Sequence, residues 1–313
     1  MHKALLLILL CFTFSSGYGT ERELNIVFIP KSSDQDFWLF MRNGVDKAID
    51  EIGNISLTWR GPRYNDDTDA QIRILETYTR PEVDVIIIAA TDQARLVAPV
   101  KKAAEAGIAI VAVDSALLGN YQQNSIMTDN YTAGILAARH LSGLLQAQGN
   151  VVVFRTVAAS ASTDQRAEGF LDYIKENVPN IKIIADEYGG GSRGKSMHSA
   201  ITLLDRGLKI DAIFAVNESS SYGMLRALRN KNLAGKYPFV GFDSTKFLLQ
   251  ALKDGEINAL VIQDAARMGY LSIKAAVAAA RGTPLKESNI FIDAIMLTRE
   301  NMNNPDIQAL LVP

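Results

Sequence analysis

Cysteine is nearly missing from this chain. Its single copy, Cys11, lies in an apolar N-terminal stretch, so the remainder has no disulfide and no thiol chemistry and must be held by its core alone. Histidine is scarce too: of three, only His140 and His198 lie beyond the first few residues, and neither stands beside a Cys or a second His. No metal centre and no cofactor are expected. The 32 basic and 34 acidic residues leave a formal charge of −2, which offers no positive field for nucleic acid. Beyond the first residues no apolar run approaches the roughly 20 positions needed to cross a bilayer. No Pro- or Gly-rich linker and no low-complexity tract interrupts the chain.

What is present begins with MHKALLLILLCFTFSSGYG: one Lys, an apolar run from Ala4 to Phe14, then small residues. That is the build of a secretory signal peptide, with cleavage after Gly17 or Gly19. Removal of residues 1–19 takes Lys3 with it and leaves 31 basic against 34 acidic residues, a charge of −3. The mature chain is expected to be soluble and exported.

Short apolar runs then alternate with helix-length amphipathic segments. The strand-like runs are LNIVFI, ISLTW, DVIIIAA, IAIVAV, VVVF, IKII, DAIFAV, FVGF and ALVI; the helical segments include Phe37–Ile52, Gln93–Ala106, Tyr131–Ala147, Arg166–Asn177 and Met268–Arg281. Runs apolar at successive positions fit parallel strands covered on both faces. The fold class expected is therefore α/β with doubly wound parallel sheets. The rhythm runs twice, from Leu24 to Val113 and from Val151 to Phe242, which suits two lobes joined by short ordered crossings with a cleft between them.

Ligands of open α/β sheets bind beyond the carboxyl ends of the strands, so the residues after each apolar run are the candidates. NIVFIP leads to Asp34, Gln35, Asp36, Phe37 and Trp38; IIIAA to Thr91 and Asp92; AIVAV to Asp114. In the second half VVVFR opens a loop that runs to Arg166, AIFAV leads to Asn217, FVGF to Asp243, and ALVI to Gln263 and Asp264. Carboxylates, amides and a guanidinium can satisfy hydroxyls that both donate and accept, and two flat rings can cover the C–H face of a sugar. The same Asp, Asn and Ser positions are also ordinary helix N-caps, so position alone leaves both readings open.

These residues carry a resemblance. DFW after the first strand, the RAEGF helix start, FAVNESSSYGMLRAL, VGFDST and ALVIQD are similar to the periplasmic ribose-binding protein family, the pentose and hexose receptors of ABC importers, whose fold the lactose-repressor core shares. The likeness runs over nearly the whole mature chain. It implies a type I periplasmic binding protein whose three hinge crossings fall near Met127–Tyr131, Ile262–Ala265 and Phe291–Ala294. It also implies an N-terminal lobe of residues 20–128 plus 264–291 and a C-terminal lobe of 129–263 plus 292–313. The family's stacking rings fall on Phe37 and Trp38, its first-lobe carboxylate on Asp114, its guanidinium on Arg166, and its amides on Gln35, Asn217 and Gln263. Its GFD carboxylate is Asp243. Asp34, Asp36, Asp92, Tyr188 and Arg193 are further candidate contacts. Two departures stand out. Ser115 follows Asp114 where ribose receptors carry Arg, and the second-lobe ring aligns near Gly191, with Tyr188 as its substitute.

The implied function is a periplasmic, monomeric, non-enzymatic receptor that closes on a small sugar or polyol and passes it to a membrane ABC permease. The alternative is a sensory receptor that docks a membrane histidine kinase or chemoreceptor.

One stretch, EYGGGSRGKS, carries two enzyme patterns at once: Gly189–Ser196 reads as a P-loop and Gly190–Gly194 as a nucleophile elbow. Asp186 and Glu187 place negative charge where a polyphosphate would sit, and DAIFAV ends in Asn217 rather than a magnesium-binding Asp. After Ser192 the only His is His198, with no acid between them, against the Ser-acid-His order of that hydrolase fold. The stretch is expected to be a turn on the cleft rim.

Overall fold

The structure is a computed structural model that describes residues 22–311; the signal-peptide reading falls outside them. From the N-terminal end the elements are β1 (Leu24–Ile29), α1 (Phe37–Ile52), β2 (Ile55–Trp59), α2 (Thr68–Tyr78), β3 (Val85–Ile88), α3 (Val97–Glu105), β4 (Ala109–Val113) and β5 (Asn124–Thr128). Then follow α4 (Asn130–Leu144), β6 (Gly149–Arg155), α5 (Ala161–Asn177), β7 (Ile181–Tyr188), α6 (Arg193–Leu204), β8 (Ala212–Ala215), α7 (Glu218–Asn230), β9 (Phe239–Phe242), α8 (Lys246–Lys253) and β10 (Ala259–Ile262). The chain ends with α9 (Ala265–Ala280), β11 (Asn289–Ile292), β12 (Ile295–Thr298) and α10 (Pro305–Gln308).

The strands form two six-stranded sheets. One has the order β11-β5-β4-β3-β1-β2 and is parallel throughout; the other has the order β12-β10-β9-β8-β6-β7, with β12 alone antiparallel. The central strands β3, β8, β9 and β10 are buried at every position, which is why they read as unbroken apolar runs. The chain passes between the sheets three times: from β5 into α4, from β10 into α9, and from β11 to β12. This is the doubly wound, three-crossing architecture expected.

Two differences from the expected elements bear on the site. Asn124–Thr128, polar in sequence, is a fully buried strand; Asn124 is paid back by its side-chain amide, which donates to the backbone of Leu285 and Glu287. Helix α5 starts at Ala161, so Arg166 projects from inside a helix and not from the end of a loop. The small polar run ASASTD hid that start, because such residues suit turns and helix entries equally.

Each lobe fixes its cleft-forming helices by the same device. A Cβ on Gly44 of α1 would overlap the Ala266 carbonyl of α9, and one on Gly269 of α9 would overlap that of Met41. In the other lobe Gly134 of α4 meets the Arg166 carbonyl of α5, and Gly169 of α5 meets that of Tyr131. Paired glycines let the helix backbones touch. The first pair seats α1, which carries the two rings; the second seats α5, which carries the guanidinium.

Candidate binding site

Strand ends from both sheets converge on a single cavity between the lobes. The first lobe lines it with Lys31, Gln35, Phe37, Trp38, Asn65 and Asp114. The second lobe adds Ser160, Ser162, Thr163, Arg166, Asn217 and Asp243, and Gln263 enters from a crossing. Phe37 and Trp38 meet edge to face, with ring centroids 5.0 Å apart at 81°, and their outer parts are embedded in the core of the first lobe. They are core and cavity wall together.

Asp114 and Asp243 occupy equivalent places in the two lobes. Each is the first residue past a central strand, each has a left-handed backbone (φ 63° and 68°), and each donates its N–H to the next strand, to Ile126 at 2.9 Å and Val261 at 2.8 Å. Asp and Asn tolerate that conformation better than other side chains, and it turns the carboxylate off the sheet edge into the cleft. Asp114 pairs with Lys31 Nζ at 3.0 Å. Burial lowers the Lys31 ammonium from its ordinary value, and Asp114 opposes that shift.

Arg166 is fully buried, its guanidinium 3.9 Å from the centre of the Phe242 ring. It donates to Asn130 Oδ1 at 2.8 Å, the Val216 carbonyl at 3.1 Å and Gln263 Oε1 at 2.7 Å. A guanidinium has five N–H donors, so this set leaves donors over for a guest. Gln263 in turn donates to Asp243 Oδ1 at 2.6 Å and accepts from Thr128 at 2.7 Å. Thr128, Asn130 and Gln263 all lie at crossings, so the polar floor of the cavity is hydrogen-bonded to the hinge. Burial lowers the Arg166 guanidinium and raises the Asp243 carboxyl, each opposed by the other's charge. Two cationic and two acidic groups face the cavity: Lys31 pairs directly with Asp114, and Arg166 and Asp243 are joined through Gln263.

The lobes are closed on each other. Lys31 Nζ donates across the cleft to Ser160 Oγ at 3.2 Å and Ser162 Oγ at 2.7 Å. Ser115, where the ribose receptors carry Arg, accepts the Ser162 N–H at 3.3 Å. The Phe37 N–H donates to Glu218 Oε2 at 3.0 Å. On the rim the Gly191 N–H donates to Asp66 Oδ2 at 3.3 Å, and the Asn65 N–H to the Gly191 carbonyl at 3.2 Å.

Residues 26–284 match the family described as the periplasmic binding protein domain. The chain belongs to that family. Among curated relatives, this periplasmic binding protein is 28% identical over 278 residues to the D-ribose/D-allose-binding protein of Pseudomonas aeruginosa, covering 86% of each chain. Among solved structures, it is 31% identical to a carbohydrate transporter solute-binding protein of Agrobacterium radiobacter in complex with D-arabinose, with a TM-score of 0.88 over 94% of this chain and 100% of that one. It is 34% identical to the periplasmic component of an ABC-type sugar transport system from Hahella chejuensis, with a TM-score of 0.84 over 88% of this chain and 100% of that one. These relatives are solute-binding proteins.

All eight principal candidates of this periplasmic binding protein, Gln35, Phe37, Trp38, Asp114, Arg166, Asn217, Asp243 and Gln263, line the one cavity. Asn217 does so while also capping α7 in a reciprocal box with Ser220. The five further candidates lie outside the lining. Asp92 turns back to accept the N–H groups of Ala94 and Arg95, both at 2.9 Å. Tyr188, half exposed, stacks under Arg155 beside an outer depression with Thr156 and His198; it does not replace a second-lobe ring, because β7 ends one strand further out than the cavity. Asp36 and Arg193 pair with each other at 3.3 Å on the rim. Asp34 lies on the loop before α1, its carboxyl raised by burial. Ser192 accepts the Lys195 N–H at 3.3 Å as the cap of α6, a structural role for the elbow serine.

Sequence reasoning missed Lys31, Asn65, Ser160, Ser162 and Thr163 in the lining, and Glu218 behind it. Glu218 is wholly buried. It accepts from Arg193 Nε at 3.0 Å as well as from Phe37, and burial pushes its carboxyl up to about 7, against the pull of Arg193. Lys31 follows β1 by two residues and was within reach of the strand-end rule. Glu218 stands in the first turn of α7, where an acid suits the helix dipole without any further role.

Proposed function

We propose that this protein is an exported solute-binding protein that closes on a neutral monosaccharide or a close polyol relative and delivers it to an ABC importer. The observation that carries the reading is the cavity wall. Rings cover one side, directional hydrogen-bonding groups from both lobes cover the rest, and the four charged groups balance, which favours a hydroxylated guest without net charge. The D-ribose/D-allose and D-arabinose named for its relatives have that chemistry. The transport context of those relatives weighs for an importer over a sensor. The family and the relatives it matches are solute-binding proteins, which supports a receptor over an enzyme.

In this reading residues 20–128 plus 264–291 and residues 129–263 plus 292–313 move as two bodies. A guest that touches both shifts the population to the closed form by its differential affinity for it. The protein acts as a monomer in the periplasm, led there by residues 1–19, and a membrane permease reads closure from the lobe surfaces.

Titration calorimetry with D-ribose, D-allose, D-arabinose and D-fucose tests the site. Asp114→Asn keeps a side chain suited to the left-handed backbone and removes the charge. Its expected effect is about a tenfold loss of affinity for whichever sugar binds, the scale of one charge-assisted hydrogen bond. Unchanged binding by this variant, or no binding of any of the four sugars to the wild type, counts against the reading.

A further inference from the structure

Asn65 comes from the segment between β2 and α2, which contributes no other residue to the cavity. It is almost fully buried, and its Oδ1 has no hydrogen-bond partner among the described residues. Two more first-lobe atoms of the lining share that condition, Gln35 Nε2 and Trp38 Nε1. A buried polar group without a partner is costly, so three such groups on one wall mark places where a guest completes the bonding. The backbone of Asn65 is held elsewhere, by the cross-cleft bond from its N–H to the Gly191 carbonyl, so the side chain is positioned only once the lobes meet. Among the described residues no ring from the second lobe lines the cavity; both aromatic lining residues belong to α1. Opposite that loop the rim is Gly191 backbone.

We propose that Asn65 is a ligand-contacting, selectivity-setting residue: its amide binds one particular hydroxyl on the edge of the sugar that faces the β2–α2 loop. The proposal rests on the sugar-receptor reading above and deepens it. The amide carries both donors and an acceptor, so it meets a hydroxyl in either role, whereas the indole N–H of Trp38 can only donate. A sugar is therefore selected for a hydroxyl at that edge, where an apolar or deoxygenated edge would leave the amide stranded. Because its side chain makes no bond to protein at Oδ1, shortening it takes nothing there from the folded chain.

The test uses whichever of D-ribose, D-allose, D-arabinose and D-fucose binds the wild type most tightly, together with its monodeoxy derivatives. The wild type is expected to lose about tenfold in affinity for one derivative. Asn65→Ala is expected to bind the parent sugar about tenfold more weakly and to stop distinguishing it from that derivative. Asn65→Ser, closer in polarity, provides the same comparison should the alanine variant fold poorly. If the variants weaken every derivative equally, Asn65 is structural and the proposal falls; it falls also if they discriminate as the wild type does. Arg166→Lys, which keeps charge but loses the planar fork, separates the two levels. Weak binding by it with normal behaviour at position 65 overturns only the Asn65 assignment. Normal behaviour by both places the sugar elsewhere and overturns the site itself, as does a wild type that binds none of the four.

Discussion

Gly191→Val is expected to lower sugar affinity by about a hundredfold or more while leaving the chain folded. Gly191 lies on the turn between β7 and α6 and touches the opposite lobe through both its N–H and its carbonyl. A Cβ there would stand 2.5 Å from the Asp66 backbone nitrogen and 2.8 Å from the Asp66 Cβ and Cγ. The nearest of those atoms is backbone, so no rotamer change relieves it. Its φ lies outside the left-handed region, so a side chain brings no local strain once the lobes part. The clash therefore belongs to the closed state alone. Overpacking of this kind costs roughly 1–3 kcal/mol, and more for a branched side chain against backbone; every 1.4 kcal/mol or so lowers the closed fraction, and with it the apparent affinity, about tenfold. Calorimetry gives the affinity, and small-angle scattering at a sugar concentration that just closes the wild type should show a larger radius of gyration for the variant. Wild-type affinity in this variant, or loss of its thermal transition, defeats the argument.

That turn also shows where sequence reading stops. Strand-end residues such as Asp114, Asn217 and Asp243 were legible because one rule of α/β sheets, applied strand by strand, places them at the cleft. Arg166 and Gln263 were legible through motif likeness. Asn65, Ser160 and Ser162 were not, since each earns its place only when a loop of one lobe meets the other lobe, and no local pattern states which loops meet. Gly191 could be recognised as a departure, a missing ring, yet what fills the gap is Asp66 and Asn65, some 125 positions away. The β2–α2 segment was passed over for a related reason: it follows the edge strand of its sheet, where the strand-end rule predicts least. Tyr188 failed by the same geometry, since β7 is also an edge strand.

The buried Glu218 gives closure a dependence on pH that can be worked out in sign. With the lobes together it is covered by the Phe37 N–H and by the Asp36–Arg193 pair from the rim, and its carboxyl is raised from an ordinary 4.5 to about 7, chiefly by burial, with Asp243 adding to the rise and Arg193 opposing it. With the lobes apart the first-lobe cover is gone and the group titrates nearer its ordinary value. Below about pH 4.5 it is protonated in both states and closure is unpenalised. As pH rises the open form ionises first, so closure weakens until about pH 7 and is level above that. The raised carboxyl thus contributes its stability on the acid side and loses it as pH climbs through the interval, by up to about a hundredfold in affinity. Asp243, Asp34 and Asp164 are raised by burial as well. Glu218→Gln isolates the one group: it should bind sugar more tightly than wild type at pH 8, converge on it toward pH 4, and reduce the uptake of protons on binding that is read from calorimetry in buffers of different ionisation heat. A wild-type affinity that is flat from pH 5 to 8, or a Glu218→Gln variant with the wild-type slope, removes Glu218 from the closing step.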